Sequence, residues 1–148
     1  MNSGDKLNKE VVLKGVTYKV IGIDYYTLNN LFGESVDWTS YTLIDKDENK
    51  TWVSGPYAGK FVQWSLFSAE EFKQDKKASM DPNLTGIANI KFEGNPGFST
   101  PVAEIVWLKT SGTYDYIAME RFMKLEGKSI EPEESYFNAG KILEDFTI

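Results

Sequence analysis

Apolar and polar residues alternate with a period of two along most of this chain, the pattern of strands with one buried face. The signal is cleanest in Phe61 to Phe67, where Val62, Trp64 and Leu66 share a face. Ile87 to Phe92 places Ala88, Ile90 and Phe92 together, and Val102 to Lys109 does the same for Ala103, Ile105 and Trp107. Upstream, Glu10 to Leu13 and Thr17 to Tyr26 predict a hairpin turning at Lys14-Gly15. Trp38 to Ile44 and Lys50 to Ser54 flank the turn Asp45 to Asn49, and Gly55 to Gly59 makes the next reversal. Ser111-Gly112 predicts a hairpin turn, and Tyr114 to Leu125 is the longest strand candidate.

Other stretches lack this period. Leu28 to Asp37, with Asn29, Asn30 and Gly33, reads as a loop. Ser68-Ala69-Glu70-Glu71 has capping-box spacing and predicts one short helix. Lys73 to Leu84 reads as an exposed linker, and a polar piece around Pro132 precedes a last strand at Ile142 to Ile148. The expected fold is mainly β: an antiparallel β-barrel or β-sandwich of about eight to ten strands with one short helix. Residues 1–9 are expected to be a disordered tail and residues 10–148 a single β domain.

Composition sharpens this picture. Aromatics at 14% favour β structure, where flat rings pack across strands. The formal charge of −6 opposes nucleic-acid binding, which needs a surplus of Lys and Arg against phosphate. It equally disfavours an anionic membrane surface, and no stretch approaches the ~20 apolar residues of a membrane span. The charge serves solubility or, more sharply, a basic protein partner. With no Cys and no His, the chain lacks disulfides, zinc sites built from those residues, haem ligated by them and iron–sulfur clusters. Ser-His-Asp and Cys-His catalysis are excluded as well, and no cofactor is expected. The polar N-terminus, without an apolar run behind it, predicts a cytoplasmic protein with no membrane insertion.

Several motif-like pieces reduce on inspection. Asp45-Lys46-Asp47-Glu48-Asn49 begins like a calcium loop, but Lys50 and Pro56 stand where an EF-hand needs Gly and Glu. Gly55-Pro56-Tyr57-Ala58-Gly59-Lys60 is one residue short of a phosphate loop and continues with Phe61. Asn83-Leu84-Thr85 fits a glycosylation sequon without a secretory signal. Glu120, among the apolar positions Tyr114, Tyr116, Ala118 and Phe122, is either a buried acid or an ordinary paired charge. Tyr41, Trp52, Tyr57, Trp64 and Trp107, with Glu120, form the candidate ligand-binding set; the competing reading is that these rings are the core.

Gly15-Val16-Thr17-Tyr18-Lys19-Val20-Ile21-Gly22, then Trp38-Thr39-Ser40-Tyr41-Thr42-Leu43 and Thr51-Trp52-Val53, resemble the opening motifs of the bacterial domain-of-unknown-function family 4178. Tyr114 and Tyr116 leading into Met119-Glu120-Arg121-Phe122 are similar to its Tyr-rich strand, with Phe122 in place of the expected Trp. The resemblance implies a β-rich domain and no established reaction, so no catalytic residues carry over. The expected function is non-catalytic binding of a protein or a small ligand. The alternatives are an acidic immunity or inhibitor protein that neutralises a basic partner, a lipocalin-like carrier, and a small carboxylate enzyme built on Glu120.

Overall fold

The computed structural model describes residues 6–57, 59–66, 79–94, 102–110, 114–126, 129–144, 146 and 148, with the backbone alone at 66, 119–126 and 129–137. Its strands are β1 (Glu10–Leu13), β2 (Val16–Asn30), β3 (Ser35–Ile44), β4 (Lys50–Tyr57), β5 (Lys60–Leu66), β6 (Ser79–Met80), β7 (Gly86–Gly94), β8 (Val102–Lys109), β9 (Tyr116–Glu126) and β10 (Ser129–Leu143). The order β2-β3-β4-β5-β10-β9-β8-β7 closes on itself, because β7 pairs with both β8 and β2. The result is a closed antiparallel barrel of eight strands, with β1 and β6 as two extra strands outside the ring. Closure leaves the ring without an unpaired edge.

Local chemistry explains the turns. Lys14 and Gly15 both have positive φ, 51° and 80°, the requirement of a two-residue turn whose twist matches the flanking strands. Leu13 consequently pairs with Val16. At the other end of β2 the structure corrects the expected loop over 28–37: β2 continues to Asn30 and β3 begins at Ser35. Only Leu31 to Glu34 form the turn. Asn30 Oδ1 accepts from Phe32 N and Glu34 N at 3.0 Å each, so a residue that suggested a loop is what tightens the turn.

Strand β10 is the second correction. It runs through Pro132 and ends at Leu143, with a register shift between Pro132 and Glu134. Proline, which lacks an N–H, is tolerated in a sheet at such an irregularity. The predicted last strand contributes Ile142 and Leu143 to β10, while Phe146 and Ile148 pack on the barrel's outside without being strand. The predicted helix at Ser68 to Glu71 and the turn at Ser111-Gly112 lie outside the described residues. The helical turn that is described is Pro82–Leu84, where Asp81 caps the Asn83 amide. The described end of the expected linker is therefore built structure, with Ser79 and Met80 paired to Lys109 and Leu108.

Alternate residues of the same wall feed two hydrophobic clusters. The inner one joins Tyr26, Leu28, Trp38, Tyr57, Val62 and Trp64 to Ala88, Ile90, Ala103, Ile105, Trp107 and Ala118. Alanines on β7, β8 and β9 make room for large rings, the small-against-large matching by which a narrow barrel fills. The outer cluster joins Val11, Leu13, Val20, Ile23, Tyr41, Leu43, Val53 and Leu143, with Leu7, Phe146 and Ile148 laid against it. Contacts begin before β1, since Asn8 N donates to Val20 O at 2.8 Å.

Candidate functional site

Register decides which side chains face the lumen. Asp24 on β2 stands opposite Ser40 on β3, and Ser40 opposite Ser54 on β4. One step along, Gly22 stands opposite Thr42, which faces Trp52, which in turn faces Trp64 on β5. In the other direction Tyr26 stands opposite Trp38. Directly opposed residues share a face. Asp24, Ser40, Thr42 and Ser54 thus belong with the lumen rings, and their exposures are 1%, 8%, 3% and 3%.

The aromatic layer is continuous. Tyr26 stacks on Trp38 with centroids 5.0 Å apart, and Trp38 meets Tyr57 at 5.5 Å. Trp107 is its hub, lying 6.1 Å from Trp38, 4.6 Å from Tyr57, 4.9 Å from Trp64 and 5.2 Å from Tyr116. These offset and tilted geometries suit the ring quadrupoles. Ser54 joins the layer to the polar belt: Trp64 Nε1 and Tyr57 OH both donate to Ser54 Oγ, at 2.6 and 3.0 Å. Gly140 lets Trp64 lie flat against β10, since a Cβ there would fall 2.7 Å from Trp64 Cζ3 and 2.6 Å from Val62 Cγ1.

A small structure supports Trp107 from behind. Its backbone N donates to Thr85 Oγ1 at 3.2 Å, and its carbonyl accepts from Asp81 N at 2.8 Å. Thr85 Oγ1 also donates to Asp81 O at 2.8 Å, and Leu84 from the same turn packs on the inner cluster. Asp81 carries a 3.7 Å ion pair with Lys109. The sequon-like Asn83-Leu84-Thr85 is accounted for by this support, with Thr85 buried at 6% exposure.

Of the predicted set, Tyr57, Trp64 and Trp107 come together, and Trp52 packs half-buried against them. Tyr41 is separated from them because it occupies the opposite parity of β3 and joins the outer cluster. There Lys6 Nζ lies 5.7 Å from its ring centroid and donates to its hydroxyl at 3.3 Å. Glu120 pairs in register with Ile105 and Tyr136, and its side chain lies outside those described. The sequence reading missed Asp24, Ser40, Thr42 and Ser54. Counting in steps of two from Trp38 would have found Ser40 and Thr42.

The calcium-like turn is self-contained. Asp45 Oδ1 accepts from Asp47 N and Asn49 N at 2.8 and 2.9 Å, while Oδ2 accepts from Asn49 Nδ2 at 3.2 Å. These donors, the Asn49 amide foremost, hold the Asp45 carboxyl below its ordinary value. Among the described residues no group of three or more acidic side chains is placed to hold a metal. A separate open cleft of about 590 Å³ lies between Gly15 to Lys19 and Ile44 to Asp47, where β2 extends past the end of β3. Its lining mixes acidic and basic residues, Glu10 and Asp47 with Lys19 and Lys46.

Among the described residues no helix is long and apolar enough to cross a membrane. No family model, no curated protein and no solved structure matches the chain.

Proposed function

We propose that this chain is a non-catalytic binding module that takes a small molecule in its barrel lumen. The observation that carries the reading is the buried polar belt of Asp24, Ser40, Thr42 and Ser54 beside a layer of rings. Ser54 is bonded within the layer, whereas Thr42 Oγ1 is buried without a partner among the described residues, and a buried polar group costs free energy unless it is bonded. Ligand sites combine apolar walls with a few placed polar groups. The rings lie at contact separations of 4.6 to 6.1 Å, so a guest sits beside the layer and not between its rings, and is compact where the cargo of a lipocalin-like carrier is large. The absence of His and Cys from the sequence removes the chemistries those side chains supply, and the resemblance to family 4178 carries over no catalytic residue.

The test is tryptophan fluorescence of the full chain against a panel of compact neutral molecules, with native mass spectrometry of the freshly purified protein. Binding that shifts the emission and weakens in Thr42→Val is the expected result. A panel that leaves emission and melting temperature untouched would sink the lumen reading.

A second reading, an acidic inhibitor of a basic protein, is favoured by the −6 charge and by the exposed Asp47 and Glu48 at the β3–β4 turn. It requires a partner whose affinity falls with added salt. Undiminished affinity at high salt would exclude it.

A further inference from the structure

The indoles of Trp64 and Trp107 meet edge to face at 4.9 Å in the same layer, yet their N–H groups differ. Trp64 Nε1 donates to Ser54 Oγ. Trp107 Nε1, on a side chain 2% exposed, is buried without a hydrogen-bond partner among the described residues. An indole N–H is a donor only, so nothing but an acceptor satisfies it. Ser54 Oγ, the nearby acceptor that serves the layer, already takes the Trp64 and Tyr57 donors. Trp107 is also held at its backbone, N to Thr85 Oγ1 and O to Asp81 N, so its strand position is fixed from behind. A donor left bare in such a place costs about 1–3 kcal/mol.

Building on the lumen-binding reading, we infer that Trp107 Nε1 anchors a ligand subsite for one acceptor oxygen. That oxygen belongs to water or to the carbonyl, ether or hydroxyl of a small uncharged molecule. The rings around the anchor, Trp38, Tyr57, Trp64 and Tyr116, set the other requirements. They offer apolar ring surface to a carbon skeleton, and an anion there would share the lumen face with the Asp24 carboxyl. A cation would meet the N–H donor with the wrong sign.

The experiment uses the full chain with nitrogen-labelled indoles and follows the Trp107 N–H by NMR. Cyclopentanone and cyclopentane are the probes, because they share a ring size and differ by the acceptor. Cyclopentanone moves the Trp107 N–H signal downfield, and cyclopentane does not. Trp107→Phe keeps a ring and removes the donor, so it weakens cyclopentanone about three- to tenfold and leaves cyclopentane unchanged. The signal in the wild-type protein serves as the readout should that variant fold poorly. Equal binding of both probes with an unmoved N–H overturns the anchor and leaves the lumen reading standing. Exclusion of both probes with a cross-peak from the N–H to bound water keeps the anchor, assigns the oxygen to water and removes the lumen reading. Exclusion of both with the N–H shielded by a ring face, and no water signal, overturns the two together.

Discussion

The inner and outer clusters are built from alternate residues of the same strands and are buried to the same depth, yet their chemistry differs. The outer cluster is mainly aliphatic, and segments of the chain itself cover it: β1, Leu7, Phe146 and Ile148. The inner cluster is ring-rich and shares its faces with hydroxyls and a carboxylate. Aliphatic packing serves permanent burial, since it leaves no polar group to satisfy. The lumen keeps buried polar groups, of which Ser54 bonds two of the rings. Burial thus identifies two cores here, and their chemistry is what distinguishes them.

Four measurements break or sharpen this contrast, in order of expected effect. Trp107→Ala removes the hub of the layer and should cost about 3–5 kcal/mol in urea unfolding. A loss comparable to that of an exposed substitution would mean the layer does not pack as a unit. Ser54→Ala leaves the Trp64 N–H and Tyr57 OH without their shared acceptor, and each bare group costs about 1–3 kcal/mol. Indole hydrogen exchange at Trp64 should speed up with it; unchanged exchange would show the bond to be unimportant. Phe146→Ala, on the covered outer wall, trims a half-buried ring that meets Phe61 at 5.2 Å and should cost about 1 kcal/mol. It should leave any lumen guest bound as before, and a change in guest affinity would join the clusters that the contrast separates.

The smallest effect is a pH dependence at the exposed Asp45. Its carboxyl is held below its ordinary value, so the ionised form is favoured in the folded turn. That stabilisation is full above the unfolded-state value and is lost as pH falls through the folded one. Asp45→Asn should therefore flatten the acid side of the stability profile slightly. A profile identical to wild type would remove the turn from the account.

Where period two was clean, the sequence was legible down to single faces. Ala103, Ile105 and Trp107 are the inner residues of β8, and Ala88 and Ile90 those of β7, as alternation predicts. It failed where polar residues do structural work inside a sheet. Asn30 and Pro132 mark a tight turn and a register shift, and local propensity cannot tell these from loops. The candidate site was half legible for a related reason. Rings announce themselves, but Ser40, Thr42 and Ser54 resemble ordinary strand hydroxyls until cross-strand register turns them inward. Register also depends on a shift between Val20 and Gly22 that no sequence pattern signals. Tyr41 lies on the outer face, where its parity along β3 and not its aromatic identity places it.

The pairing that closes the ring has a kinetic consequence. Gly22 meets Gly94 and Val62 meets Ile142, so closure joins residues 72 and 80 positions apart. Neighbouring hairpins such as β3–β4 assemble locally, but these two seams must wait for long stretches of chain to be brought together. Folding dominated by such seams takes roughly milliseconds to seconds. During that interval the edges of β2 and β7 are open templates, with Ile23 and Ile90 still unburied. The nascent chain is therefore most prone to self-association before the last seam zips, and dilution or rapid closure of β2 onto β7 is what protects it.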